Sequence, residues 1–91
     1  MRTLTLIRVP GTLGGPVDCL VITNARTLGE MKAEEESKVF EIGKGENAIQ
    51  VQIQGPDGKL YRSNAMFMIG NKNLVFTLEI SGTKIVLRTK K

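Results

Sequence analysis

Few side chains in this sequence could perform catalysis. The chain has 91 residues and no histidine, so it lacks both the commonest general base and the commonest ligand of transition metals. Its densest group of carboxylates is the run Glu34-Glu35-Glu36, but three consecutive side chains cannot all face one site in a strand or a helix. We interpret this run as a solvated turn, and we expect no enzymatic activity, no metal and no cofactor.

The remaining candidates for chemistry are a single cysteine and a glycine-rich loop. Cys19 lies in the apolar run Cys-Leu-Val-Ile, which predicts a buried thiol that packs as a small hydrophobic side chain. The segment 10–16 contains three glycines, but no Gly-Lys-Ser or Gly-Lys-Thr follows it, as a phosphate-binding loop would require. We therefore interpret this loop as a connection between two strands.

The elements that must position any functional side chain are β-strands. In residues 47–54 apolar residues alternate with glutamines, so that Ile49, Val51 and Ile53 fall on one face of a strand. The same period of two recurs along the chain. It predicts further strands over residues 3–9, 17–23, 38–42, 59–62, 65–69, 74–80 and 83–90.

Short strands that alternate with turns every 8 to 12 residues or so are typical of an antiparallel sandwich or barrel. We predict a single all-β domain over residues 1–91, an antiparallel β-sandwich of the Ig-like or PEGA-like kind with seven or eight strands. Closure into a small barrel is the alternative. The segment 27–37 is open between a strand over 28–32 with an acidic turn and a single surface helix.

Residues 21–53 resemble small bacterial β-sandwich accessory domains of the PEGA-like kind. The resemblance rests on the pattern F-x-[IV]-x-x-G-x-[HN]-x-[IV]-x-[IV], in which Phe40 and Ile42 are the inward pair. Gly45 and Asn47 match the later turn positions, and Gly29 matches an earlier turn glycine. The chain lacks the Thr-Pro step of the family and the glycine usual in its Asn-Ala-Arg turn. The resemblance implies a non-catalytic accessory or interaction domain, often attached to envelope proteins.

The net charge of +4 is unevenly distributed along the chain. Residues 30–57 carry seven acidic and three basic side chains, whereas residues 58–91 carry seven basic side chains and one acidic. In the last predicted strand Lys84, Arg88 and Lys90 share a face, as contact with phosphates or another acidic partner requires. An OB-like barrel would add exposed aromatic rings beside them, and Tyr61 is the aromatic residue that we expect outside the core. A lysine-rich strand that protects a sheet edge is the alternative.

A row of glutamines is a candidate contact surface for a protein partner. Gln50, Gln52 and Gln54 give one sheet a neutral, hydrogen-bonding outer face in place of the usual charged one. The alternative is a solvated sheet face with no partner.

Two methionines form another candidate surface. If Phe67 and Ile69 point inward, Met66 and Met68 point outward as an adaptable apolar patch. In the opposite register both methionines belong to the core.

The sequence therefore favours a non-enzymatic module for protein interaction or structural support, with another protein or a second copy as its partner. The alternative is a nucleic-acid-binding, OB-like barrel that uses the basic C-terminal strand. No apolar run approaches the roughly 18 residues that span a bilayer. Nothing in the sequence directs the chain out of the cytoplasm, and its compartment stays open.

Overall fold

The computed structural model describes residues 2–68 and 72–90. These residues form nine β-strands and no helix, so none of them belongs to a helix that could cross a membrane. The strands are β1 (Arg2–Val9), β2 (Cys19–Thr23), β3 (Thr27–Met31), β4 (Ser37–Ile42), β5 (Ala48–Gln54), β6 (Leu60–Arg62), β7 (Met66–Phe67), β8 (Leu74–Ser81) and β9 (Lys84–Thr89).

The strands pair into two sheets. The first has the order β4-β1-β8-β9, and the second has the order β3-β2-β5-β6, with β7 also pairing with β5. The prediction of an all-β sandwich is confirmed, and the barrel alternative is wrong because the two sheets stay separate. One pair departs from the antiparallel expectation, since β1 and β8 run parallel with Leu4 opposite Leu74.

Alternation predicted most strands, but not their number. The segment 27–37 forms β3 and a turn, so the helix alternative is wrong. Nine strands form where seven or eight were predicted, because β3 adds to the eight strands that alternation predicts. The chain bends between β6 and β7, two strands that were predicted separately. At that bend Ser63 N donates to Val51 O at 2.8 Å, while Ser63 Oγ accepts a hydrogen bond from Val51 N at 2.9 Å. The serine hydroxyl thus takes the place of a backbone carbonyl and interrupts the strand.

The core lies between the two sheets. Side chains that alternate along the long strands point into it, and Cys19 is among them at 3% exposure, as predicted. Phe40 and Phe76 are buried as expected, but Phe67 is 68% exposed. The other buried apolar side chains are Leu4, Leu6, Val21, Met31, Ile42, Ile49, Val51, Ile53, Met68, Leu78, Ile80, Ile85 and Leu87.

The carboxamide of Asn64 closes the corner where β9 meets the second sheet. Its Nδ2 donates to Leu87 O at 3.0 Å, and Leu87 N donates to its Oδ1 at 2.8 Å. Leu87 lies in the middle of β9, the outermost strand of the first sheet. An outermost strand has peptide groups with no strand to pair with. Here one side chain replaces the missing neighbour.

Side chains also close the opposite corner, between β3 and β4. Lys38 Nζ donates to Glu30 O at 2.7 Å, which joins an outer strand of one sheet to an outer strand of the other. The same ammonium group lies 5.7 Å from the centre of the Phe40 ring. Both corners are thus held by side chains.

The turn at residues 43–47 carries the chain from the first sheet to the second and is held by a buried carboxylate. Glu46 is 6% exposed. Its carboxylate accepts hydrogen bonds from Gly43 N at 2.9 Å, Thr23 Oγ1 at 2.9 Å and Arg26 Nε at 3.2 Å. Burial alone would raise the pKa of this carboxyl, but the hydrogen bonds and the arginine charge outweigh it and lower the pKa.

Two further side chains clamp the same turn. The guanidinium of Arg2, at the start of β1, donates to Gly43 O and Glu46 O, both at 3.0 Å. From the second sheet, Asn24 Oδ1 accepts a hydrogen bond from Asn47 N at 2.9 Å. Both sheets therefore hold the crossover between them.

The residues that resemble PEGA-like domains divide into two groups in the structure. Phe40 and Ile42 point inward, at 6% and 1% exposure, and Gly45 adopts a φ of 92° that glycine tolerates best. Gly29 does not lie at a turn. It lies within β3 against the Phe40 ring, where an added Cβ would sit 3.4 Å from the ring.

We expect Asn64→Ala to lower the free energy of unfolding by about 1–3 kcal/mol, because both peptide groups of Leu87 lose their partner. Urea unfolding measures the change. Asn64→Asp is the matched variant, which keeps an acceptor for Leu87 N but cannot donate to Leu87 O at neutral pH. Equal stability of all three proteins would contradict the role of this carboxamide.

We expect Glu46→Gln to destabilise the fold by about 1–3 kcal/mol at pH 7, because a buried, hydrogen-bonded charge is lost. A carboxyl whose pKa is lowered in the folded state stabilises that state above its unfolded pKa, near 4.3 for glutamate. This stabilisation is lost as pH falls through the folded pKa. The difference between the two proteins in urea unfolding should therefore shrink from pH 7 to pH 3.

Glu41→Gln, on the exposed side of β4, is the control for this experiment and should change stability little at any pH. A difference between Glu46→Gln and the natural chain that does not vary with pH would contradict the stabilising carboxylate.

Candidate interaction face

The outer face of the second sheet carries the predicted row of glutamines. On β5 the alternate residues Ile49, Val51 and Ile53 are at most 3% exposed, which directs Gln50 and Gln52 outward. Gln54 continues the row at the exposed end of the strand. The predicted orientation of this strand is confirmed.

The carboxamides of the row are fixed by internal hydrogen bonds. Gln50 Nε2 donates to Ser63 O at 3.0 Å, and Gln52 Oε1 accepts from Arg62 Nε at 3.0 Å. Groups already ordered before contact lose less conformational entropy when a partner binds. This part of the face is therefore preorganised.

Apolar side chains flank the glutamines on both sides. Leu20 and Ile22 on β2 are half-buried opposite Gln52 and Gln50. On the other side Leu60 and Phe67 are 63% and 68% exposed. We call this surface the glutamine face and define it by Leu20, Ile22, Glu30, Gln50, Gln52, Gln54, Leu60, Arg62 and Phe67.

The register of β7 overturns the prediction for the methionines. Met66 lies opposite Ile49 and packs against the core, and Met68 is 4% exposed. Phe67 therefore points outward, where the sequence analysis had placed the methionines. The reason is that a shift of one residue moves every side chain of a strand to the other face. Ile69, the other residue of that prediction, lies outside the described residues.

The basic residues lie on the opposite side of the molecule. Lys84, Arg88 and Lys90 are exposed, as predicted, and alternate with the buried Ile85 and Leu87 on the outer face of the first sheet. The structure does not bring them together with the glutamine face.

Tyr61, the aromatic residue expected beside the basic residues, is half-buried against the core of the second sheet. Its hydroxyl donates to Asp57 Oδ2 at 2.7 Å, and this hydrogen bond raises the pKa of Tyr61. This ring therefore does not lie beside Lys84, Arg88 and Lys90 as an exposed surface on which bases could stack, as it would in an OB-like barrel.

Sequence reasoning missed a cleft of about 790 Å³ between the glycine-rich loop and the acidic turn. Antiparallel pairing places the end of β1 beside the start of β4, so the loop after β1 meets the turn before β4. Ile7, Val9 and Ile80 line the cleft, and Glu34 and Glu36 are exposed at its rim. The pairing of β1 with β4 is therefore the signal that could have indicated this cleft.

Arg8 lines this cleft and Cys19 lies close to Arg8, but both have structural roles. Arg8 Nε donates to Glu35 O at 3.2 Å and its Nη2 to Lys32 O at 3.1 Å, so the guanidinium holds the acidic turn in place. Burial raises the pKa of the Cys19 thiol, and the nearby Arg8 charge only partly offsets this. Cys19 is therefore a neutral thiol at pH 7. Among residues 2–68 and 72–90, no three acidic or thiol side chains converge as metal ligands would.

No protein-family model matches the sequence. No curated protein matches it either. The fold is similar to that of an NMR structure of a protein from Eubacterium rectale, with a TM-score of 0.57 over 99% of this chain and 88% of that chain. The two sequences are 15% identical, so the similarity concerns the fold alone.

We expect the Cys19 thiol to react with a disulfide reagent at least about 100-fold more slowly in the folded protein than in denaturant, because it is buried and protonated. Absorbance of the released thiolate measures both rates. Equal rates in native buffer and in denaturant would contradict the burial of this side chain.

Proposed function

We propose that this chain is a non-enzymatic β-sandwich module that binds another protein through its glutamine face. The observation that carries the proposal is a row of carboxamides, two of them fixed by hydrogen bonds, beside two strongly exposed apolar side chains, Leu60 and Phe67. Exposed apolar surface that is bordered by polar groups marks sites of contact with other proteins. Aromatic and arginine side chains, represented here by Phe67 and Arg62, are also enriched where proteins meet.

The composition of the face suits a protein better than a charged ligand. The three glutamines carry no charge, and the charged side chains lie at the borders, with Glu30 and its partner Lys32 at one and Arg62 at the other. Neutral donors and acceptors beside apolar groups match the mixed character of protein–protein interfaces. The resemblance of residues 21–53 to PEGA-like accessory domains supports the same role.

Nucleic-acid binding is the second candidate function, favoured by the exposed row of Lys84, Arg88 and Lys90. The exposed aromatic ring of Phe67 lies on the other sheet, so a strand bound to the basic row could not stack its bases on that ring. Lys84 and Arg88 lie on the outermost strand β9 and Lys90 follows it, and such basic side chains discourage edge-to-edge pairing.

Affinity capture from a lysate of the native organism, with and without nuclease, tests the two functions. The face variant is Gln50→Lys/Gln52→Lys/Gln54→Lys, and the matched variant is Lys84→Gln/Arg88→Gln/Lys90→Gln. We expect the natural chain and the matched variant to retain the same protein, identified by mass spectrometry, with and without nuclease. The face variant should lose at least about 90% of it, because three charges would be desolvated at the contact.

Circular dichroism confirms that each variant is folded. Retention of the same partner by a folded face variant would contradict the proposal. Retention that nuclease or the matched variant abolishes would establish nucleic-acid binding by the basic row instead.

A further inference from the structure

We propose that the glutamine face pairs with the same face of a second copy of the chain, across a two-fold axis parallel to the strands. This inference rests on the proposed function and names its partner. The observation that carries it is the order of charges in one row across the second sheet.

That row crosses four strands. Leu20 on β2 lies opposite Glu30 on β3 and also opposite Gln52 on β5. Gln52 in turn lies opposite Arg62 on β6. The row therefore reads acid, leucine, amide, base, with the two opposite charges at its two ends.

This order is self-complementary in one orientation only. When two such faces meet across an axis that runs along the strands between β2 and β5, each β3 faces the β6 of the other copy. Glu30 then faces Arg62 of the second copy, and the symmetry repeats this pair at the other end of the row. An axis perpendicular to the strands would place Glu30 against Glu30 and Arg62 against Arg62, which repel each other. The charges thus select both the partner and its orientation.

The side chains at the two ends are available for this contact. The Glu30 side chain is 42% exposed, and its carboxylate pairs with Nζ of Lys32, the residue that follows β3. Arg62 is exposed, and its Nε donates to Gln52 Oε1 at 3.0 Å. A guanidinium can bind one acceptor through Nε and another through its terminal nitrogens.

Two of the four polar atoms at the centre of the row can be dehydrated at low cost. In the selected orientation Leu20 faces Gln52 of the second copy, and Ile22 faces Gln50 of the second copy. Gln50 Nε2 and Gln52 Oε1 already have partners within the chain. Removing water from polar atoms that keep their hydrogen bonds costs less than leaving them unpaired. Leucine and isoleucine can therefore cover these two amide atoms.

The size of the face predicts a weak dimer. Four strands about 4.8 Å apart, along a seven-residue strand with a rise of about 3.3 Å per residue, give a footprint of roughly 19 by 23 Å. This footprint is about half of the roughly 800 Å² that each partner buries in a stable complex. We expect a dissociation constant on the order of 10–100 μM.

Sedimentation equilibrium of the untagged full chain, over a concentration series up to about 1 mM at roughly 0.15 M salt, tests the pairing. The variants are Glu30→Arg, Arg62→Glu and the combined exchange of both. We expect each single variant to weaken dimerisation at least about tenfold, because both ends of the row then carry like charges. The combined exchange reverses the row, restores both pairs and should return the constant to within about threefold of the natural value.

Matched controls lie on the outer face of the first sheet. Glu41→Arg on β4 and Arg88→Glu on β9 make the same changes of charge on exposed strands away from the glutamine face. We expect each control to leave the dissociation constant within about threefold of the natural value. Spectra of all variants by circular dichroism confirm the fold.

Three results would overturn the pairing: a natural chain that is monomeric at 1 mM, a combined exchange as weak as the single variants, or controls that weaken the dimer equally. The capture experiment separates this failure from failure of the proposed function. A monomeric chain whose glutamine face still retains a different protein leaves the proposed function standing and excludes the second copy as partner. Dimerisation that survives every face variant would instead exclude the face from self-association.

Discussion

The fold depends on how its outermost strands are completed. A sandwich of two open sheets has four such strands, and each presents peptide groups that need partners other than another strand. At one corner the Asn64 carboxamide binds both peptide groups of Leu87, and at the other Lys38 binds the carbonyl of Glu30. With both corners held, the apolar residues between the sheets are shielded from water. The outer sheet faces are then the broad surfaces left for contact with other molecules.

This arrangement changes the meaning of the charges in the sequence. Arg2, Arg8 and Arg26 look like surface cations, yet the first two bind backbone carbonyls of turns and the third pairs with the buried Glu46. Much of the basic character of the N-terminal third is therefore used within the fold. Six of the nine exposed cations among the described residues follow residue 58, and three of these lie on β9 or just after it. The positive charges in the N-terminal third therefore contribute less to the surface potential than the charge count of the sequence indicates.

The sequence predicted those features that depend on local alternation. The inward rows of β5 and β8, the buried Cys19 and the outward glutamines follow from a period of two. It did not predict the orientation of Phe67 and Met68. That orientation depends on the bend at Ser63, where a hydroxyl replaces a carbonyl and changes the register. The cleft beside the acidic turn was missed for a related reason, because it exists only once β1 and β4 are paired.

The residues of the glutamine face also differ in whether the sequence alone could identify them. Its glutamines could be identified from sequence, because they lie on one regular strand. Its exposed leucine and phenylalanine could not, since β6 and β7 are too short for a pattern to assign their faces. The cross-strand row of Glu30, Leu20, Gln52 and Arg62 joins residues up to 42 positions apart in a chain of 91, and only strand order places them side by side.

The parallel pairing of β1 with β8 has a consequence for biosynthesis. β1 lies in the interior of the first sheet, between β4 and β8, and Leu4 pairs with Leu74. On a ribosome β1 can find β4 early, but its other side stays open until residues 74–81 have emerged. Pairing between segments so distant in sequence is slow, because a long loop must close before any contact forms. β1 is synthesised before its neighbours β4 and β8, yet it is completed only when β8 pairs with it, and until then this apolar strand keeps one unpaired side.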